Sequence, residues 1–176
     1  MKKTLLLLLA TAGTSLGQII AGFGYAGTEF DSQGLLNDDI SLGVLYGSLG
    51  YEINTQNDGF RFVPELRVGS GIKDDTILGV DLEVEYFVSL SLRAEVHQND
   101  ATDFFLAAGA YAFVNPTFSV ISVEASAGGV VASETTEDFG VGVGLGYNFT
   151  EIASAEIYAE FYDDVTVYGV GARFRF

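Results

Sequence analysis

The chain has no cysteine, one histidine, one methionine and two prolines, Pro64 and Pro116. Without cysteine there is no disulfide framework, no lipidated amino-terminal thiol and none of the usual zinc motifs. Past the first residues no run of about 18 apolar residues occurs, so no transmembrane helix is expected. Positive charge is also scarce: 8 Lys and Arg stand against 24 Asp and Glu, a net charge of −16. No basic patch exists to hold nucleic acid, which such a charge repels. High net charge with few apolar residues would signal disorder, but 48% of the residues are hydrophobic and 13% aromatic, which demands an ordered structure.

What is present begins with a targeting segment. Lys2 and Lys3 form a positive n-region, Leu5 to Ala12 an apolar h-region, and Ser15-Leu16-Gly17 a small-x-small cleavage site before Gln18. Residues 1–17 therefore read as a cleaved Sec-type signal peptide and 18–176 as the mature domain. Its loss removes two lysines and leaves a formal charge of −18. Export without disulfides suits a bacterial envelope protein.

From Leu78 to Val96 apolar residues occupy every second position, with Gly79, Asp81, Glu83, Glu85, Phe87, Ser89, Ser91, Arg93 and Glu95 between them. Successive side chains of a strand point to opposite faces, so the run predicts one wholly apolar face. At about 3.3 Å per residue the strand would be roughly 60 Å long, well beyond a soluble sheet. A lipid-facing strand of a barrel fits it.

The same period places the other strands. Ile19, Ala21, Phe23 and Tyr25 mark the first; Leu45, Leu49, Tyr51 and Ile53 the second, over about 40–53; Phe60, Phe62, Pro64, Leu66 and Val68 the third. The run above is the fourth. The fifth is expected from Phe104 to about Glu124, with a bulge at Asn115-Pro116 where the phase is ambiguous. The sixth carries Phe139 to Phe149 against Gly140, Gly142, Gly144 and Gly146; the seventh carries Ile157, Ala159 and Phe161; the eighth runs from Tyr168 to Phe176. The fold class is thus all-β: a single eight-stranded antiparallel up-and-down transmembrane barrel, with ten strands as the alternative if the chain turns near 87–89 and 115–117. Acidic connectors at 31–39 and 127–138, together with Asp74, Asp75, Asp163 and Asp164, are assigned to the extracellular rim, and the connectors after the second, fourth and sixth strands to short periplasmic turns.

The closing VYGVGARFRF and the GVGLGYNF of 142–149 resemble strands of the small bacterial outer-membrane barrel family that includes OmpX, the OmpA transmembrane domain and the opacity-type porin-family proteins. The resemblance spans residues 18–176. It implies an integral outer-membrane location, with lipids and lipopolysaccharide around the barrel. It also implies an assembly signal, read by the barrel-assembly machinery, in Tyr168, Phe174 and Phe176. No peptidoglycan-binding domain is expected after the barrel, so cell-wall tethering is not implied.

All five arginines, Arg61, Arg67, Arg93, Arg173 and Arg175, lie on the parity opposite the apolar face, together with Glu52, Glu65, Asp81, Glu83, Glu85, Glu95, Glu156 and Glu160. In an eight-stranded barrel these fill the lumen as a network of ion pairs with acids in excess. Arg61 and Arg67 are expected to pair with Asp81, Glu83 or Glu85 on the neighbouring strand, and Arg173 and Arg175 with Glu156 or Glu160. The function expected is structural or surface-interactive, with a strand long enough to project beyond the membrane. A narrow cation-preferring pore and a soluble periplasmic ligand-binding barrel are the alternatives. No enzyme is expected, because the single histidine, His97, falls at the periplasmic end as a turn or rim residue, away from the loops. No cofactor and no resident metal are expected; the carboxylate pairs of the loops are read as solvated, and the alternate glycines of 140–146 as a strand face and not a phosphate loop.

Overall fold

A computed structural model describes residues 17–30, 40–54, 59–77, 79–98, 109–163 and 165–176. All the regular elements there are strands: β1 (Gly17–Phe30), β2 (Ile40–Asn54), β3 (Phe60–Lys73), β4 (Asp75–Ile77), β5 (Val80–His97), β6 (Ala110–Ala127), β7 (Val130–Asn148), β8 (Ala153–Phe161) and β9 (Val165–Arg175). Neighbouring strands pair antiparallel in the order β3-β2-β1-β9-β8-β7-β6-β5, and β3 pairs with β5 to close the ring. The result is an eight-stranded barrel in which β4 is an extra short strand, continuing β3 along the far half of β5. Of the predicted signal segment only Gly17 is described, and it already belongs to β1, opposite Ile53.

Inside and outside follow the alternation. Leu90, Ile157 and Phe23 stand out from the wall at 60%, 60% and 57% exposure, while Glu95, Glu160 and Arg173 are at 0%, 1% and 2%. An apolar belt this continuous faces lipid, and a soluble barrel would carry the reverse pattern, with its apolar side chains inside.

The fourth predicted strand is where the structure departs from the pattern. In β5 the register shifts between Val84 and Tyr86: Val84 lies opposite Val123, and Tyr86 opposite Ser122. Glu85 is the extra residue of a β-bulge, which leaves two residues on one strand against one on its partner. Toward His97 the expected faces hold, with Val88, Leu90 and Leu92 outside and Ser89, Ser91 and Arg93 inside. Beyond the bulge they invert. Val84 is buried at 3% exposure, Leu82 packs behind it, and Asp81, Glu83 and Glu85 are exposed on the outer face. The three acids assigned to the lumen are therefore outside it, because one inserted residue exchanges every face after it. Pro116, where the bulge was expected, keeps its register opposite Val141 with Asn115 facing in.

One connector also differs from expectation. The predicted acidic loop at 127–138 is strand: β6 turns into β7 through Gly128 and Gly129 alone, whose φ angles are +57° and +86°. Positive φ at both central residues is what a two-residue hairpin of matching twist requires. At the opposite end β6 begins at Ala110, directly after a turn at Gly109, and the expected strand start at Phe104 lies outside the described residues. The predicted turn at 54–59 falls mostly outside the described residues, as do the loop at 31–39 and Asp164.

The bulge predicts a reactivity pattern in a chain free of other thiols. In refolded barrels, Glu85→Cys and Tyr86→Cys should react rapidly with a polar maleimide while Val84→Cys is protected. A reactive Val84→Cys beside a protected Glu85→Cys would restore the unbroken phase.

Candidate functional site: the barrel interior and the outer sheet

Two layers fill the lumen. At the end where β1 begins and β9 ends the layer is ionic, because the inward positions of β2, β3, β5, β8 and β9 there carry most of the Glu and Arg of the wall. Arg93 of β5 reaches across to β8, donating from Nη1 and Nη2 to the two carboxylate oxygens of Glu156 at 3.0 and 2.7 Å. This two-point fork is the strongest ion-pair geometry a guanidinium makes. The same guanidinium lies 3.7 Å from the centroid of the Phe113 ring. Arg173 of β9 donates to Glu95 at 2.5 Å and lies 3.4 Å from Glu65. Arg67 donates to Glu160 at 2.6 Å and to the Ser89 hydroxyl at 3.0 Å. At the rim Arg61 and Arg175 share Glu52, at 2.9 and 3.0 Å.

The expected network residues Arg61, Glu65, Arg67, Arg93, Glu95, Glu156, Glu160, Arg173 and Arg175 are thus brought together, and Asp81, Glu83 and Glu85 are not. Arg67 bonds Glu160 and Arg173 bonds Glu95, both across the lumen, where neighbouring-strand pairs were expected; of those, Arg173 with Glu156 is present at 3.8 Å. Five arginines meet five glutamates, Glu52, Glu65, Glu95, Glu156 and Glu160, so the acidic excess expected inside is absent from the ion-paired set.

Several polar residues of the layer were not singled out from sequence. Asn115 donates to Glu160 at 2.7 Å, the Tyr162 hydroxyl donates to the same carboxylate at 3.1 Å, and the Tyr111 hydroxyl bonds Ser154 at 3.3 Å. His97 is buried and not a rim residue: its ring lies 2.9 Å from a Glu95 carboxylate oxygen and stacks on Tyr111 at 4.6 Å. Inward parity was the available signal for all of them. The inward glycines of β7 and β9 make room for rings. A Cβ at Gly144 would strike Phe113, one at Gly146 Tyr111, and one at Gly169 Tyr158.

Above the ionic layer, Ala26, Leu42, Val44, Val84, Phe87 and Val167 form an apolar plug with Tyr46 and Tyr158. Arg67 sits at the boundary, 5.8, 5.8 and 5.6 Å from the Tyr46, Phe87 and Tyr158 ring centroids. The cavity between Arg67, Phe87, Tyr158 and Val167 holds about 10 Å³, barely the space of one water. Among the described residues, the charged side chains below that cavity pair with one another and tie opposite walls of the barrel together.

Beyond the plug β5, β6 and β7 continue as a sheet. Its outer face carries Asp81, Glu83 and Glu85, with Glu83 directly opposite Glu124. β7 pairs with β8 only from Val141 onward, so among the described residues 130–140 have a strand neighbour on one side alone. A clasp ties the rim nearby: the Ser41 amide donates to Asp75 at 2.9 Å, Lys73 donates to the Ser41 hydroxyl at 3.0 Å, and Thr76 donates to Asp81 at 2.7 Å.

These features define a closed eight-stranded β-barrel with a lipid-facing wall and a side-chain-filled core, the fold of the small bacterial outer-membrane barrels. No protein-family model matches the chain, and no match is found among curated proteins. Among solved structures it is similar to Ail, the attachment invasion locus protein of Yersinia pestis. The TM-score is 0.60 at 16% identity, over 91% of this chain and 99% of that one. Neisserial surface protein A gives 0.56 at 17% identity over 92% and 98%, and the N-terminal barrel domain of Pseudomonas aeruginosa OprF 0.51 at 17% over 91% and 99%.

Two outcomes test the site. Arg93→Met leaves the Glu156 carboxylate buried without its fork and should lower the unfolding free energy of refolded barrels in urea by about 3–5 kcal/mol. The double variant Arg93→Met/Glu156→Met should recover most of that loss, since it leaves no lone buried charge. The second concerns the rim. The Ser41 and Thr76 amides bonded to Asp75 hold its carboxyl below the ordinary aspartate range. A depressed folded pKa supplies stability that is present above the unfolded value of about 3.9 and disappears as pH falls through the folded one. Ser41 amide exchange, corrected for intrinsic rate, should accelerate only below that range.

Proposed function

We propose that this protein is an integral outer-membrane barrel whose plugged lumen is a rigid base and whose extended β5–β6–β7 sheet is a surface-interaction element facing outward. The observation that carries this reading is the combination of a filled interior with strands that continue past the apolar belt as an acidic sheet. The edge of β7 at 130–140, without a second strand neighbour among the described residues, offers backbone donors and acceptors to an extended segment of a partner, the geometry of strand addition. Carboxylates beside that edge, from Glu134, Glu137 and Asp138, favour a basic partner. Ail has been solved with the heparin analogue sucrose octasulfate; the acidic face of this chain disfavours a polyanion of that kind.

Tyr168, Phe174 and Phe176 fit this reading as the assembly signal, since the first two face outward on β9 and Phe176, one residue past it, is exposed. Lipopolysaccharide and phospholipid would surround the belt. The cation-preferring pore rested on excess lumen carboxylate, and three of those acids lie on the outer face. The soluble periplasmic barrel rested on an apolar interior, and the terminal half of this interior is ionic.

Refolded protein in planar bilayers should give no stepwise conductance; reproducible steps would overturn the closed lumen. An epitope inserted between Gly128 and Gly129, where a hairpin tip tolerates insertion, should be read by antibody on intact cells. Detection only after the outer membrane is opened would reverse the orientation.

A further inference from the structure

The ionic layer is not evenly balanced along the barrel axis. Arg67, Arg93 and Arg173 are shared among Glu65, Glu95, Glu156 and Glu160, an excess of one carboxylate. At the mouth where β1 begins and β9 ends the imbalance is reversed, because Arg61 and Arg175 divide a single carboxylate, Glu52. These three residues line an open recess of about 470 Å³ with Asn148, Thr150 and Glu151. Glu52 spends one oxygen on each guanidinium. Arg175 gives Nη1 to Asn148 at 2.9 Å, and its Nη2 is buried without a hydrogen-bond partner among the described residues, in a side chain only 5% exposed. Arg61 is the accessible cation, its side chain 26% exposed.

A guanidinium carries five donors in a fixed fork that matches the oxygens of a carboxylate or phosphate. Two such forks on one glutamate leave donors of Arg61 facing the recess, whose lining, with Glu151, sets two arginines against two glutamates. Glu151 on the rim opposes an anion, which favours a small one that seats deep between Arg61 and Thr150 over a bulky polyanion. The pocket is polar where the remainder of the lumen is filled, so its volume is available to a solute.

We propose that this recess is a binding site for a small oxyanion, a carboxylate or phosphate group presented from the side of the membrane on which β1 begins and β9 ends. Arg61 makes the direct contact and Arg175 completes the fork from behind. The site is independent of the outward sheet and of what that sheet binds.

The test uses the full barrel refolded in a non-ionic, phosphate-free detergent, with arginine side-chain Nε signals read by NMR. At constant ionic strength, acetate and inorganic phosphate titrated separately should each move the Arg61 and Arg175 signals to saturation, whereas chloride should not. Acetate alone identifies a carboxylate site and phosphate alone a phosphate site. Arg61→Gln should weaken binding at least about tenfold, the scale of a lost charge-assisted hydrogen bond. Arg61→Lys, which keeps the charge, should retain part of the affinity and covers the case in which the glutamine variant does not refold. Shifts that never saturate, that chloride reproduces, or that persist unchanged in either Arg61 variant overturn the site. A conducting or wrongly oriented barrel would fail the earlier reading without touching this one.

Discussion

A strand that turns one side chain toward lipid must turn the next toward the barrel axis, and with eight strands the axis has room for side chains but little for water. That constraint decides the character of the interior. The belt of Phe23, Leu45, Leu90, Val143 and Ile157 outside obliges a column of partners inside, and a buried column of charge survives only when each member is paired. The arginine and glutamate set meets the requirement through bonds that cross the lumen, such as Arg93 to Glu156, as well as bonds within the wall, such as Arg61 to Glu52.

Where the strands pass beyond the belt the constraint changes sign, because the outer solvent becomes water. A run keeping one parity would then expose Val80, Leu82 and Val84 and bury Asp81, Glu83 and Glu85. The bulge at Glu85 resolves the conflict with one residue: the apolar side chains join the plug and the acids face out. The register with β3 and β4 moves in step, from Gly69 opposite Phe87 to Asp75 opposite Leu82. Upper and lower halves of β5 are thus two amphipathic strands of opposite polarity spliced end to end.

The barrel class, the strand count and the inward parity of all five arginines were legible in the sequence because alternation is a local property. The bulge was not, since Leu78 to Val96 alternates with no visible break. One residue did betray it: Phe87 is the large apolar side chain on the otherwise polar parity, and it is the one that packs inward beside Val84. The loop read into 127–138 misled for a related reason. Ser133, Thr135, Glu137 and their neighbours are polar on both faces because that part of the strand stands in water, and polarity was taken for irregularity. Apart from Arg173 with Glu156 on the neighbouring strand, the ion-pair partners were beyond reach for a different cause. A sequence gives the face of a residue but not its height in a tilted barrel, and cross-lumen pairs depend on height.

The placement of Arg173 and Arg175 on β9 has a consequence for how the molecule comes into being. Their carboxylate partners, Glu95, Glu65 and Glu52, belong to strands made much earlier, and until the last strand docks against β1 those acids face the axis short of two cations. A partly formed sheet therefore carries an electrostatic penalty that only the final hairpin can cancel. Ring closure and lumen neutralisation become one cooperative event, which leaves an incompletely closed barrel poorly populated at equilibrium.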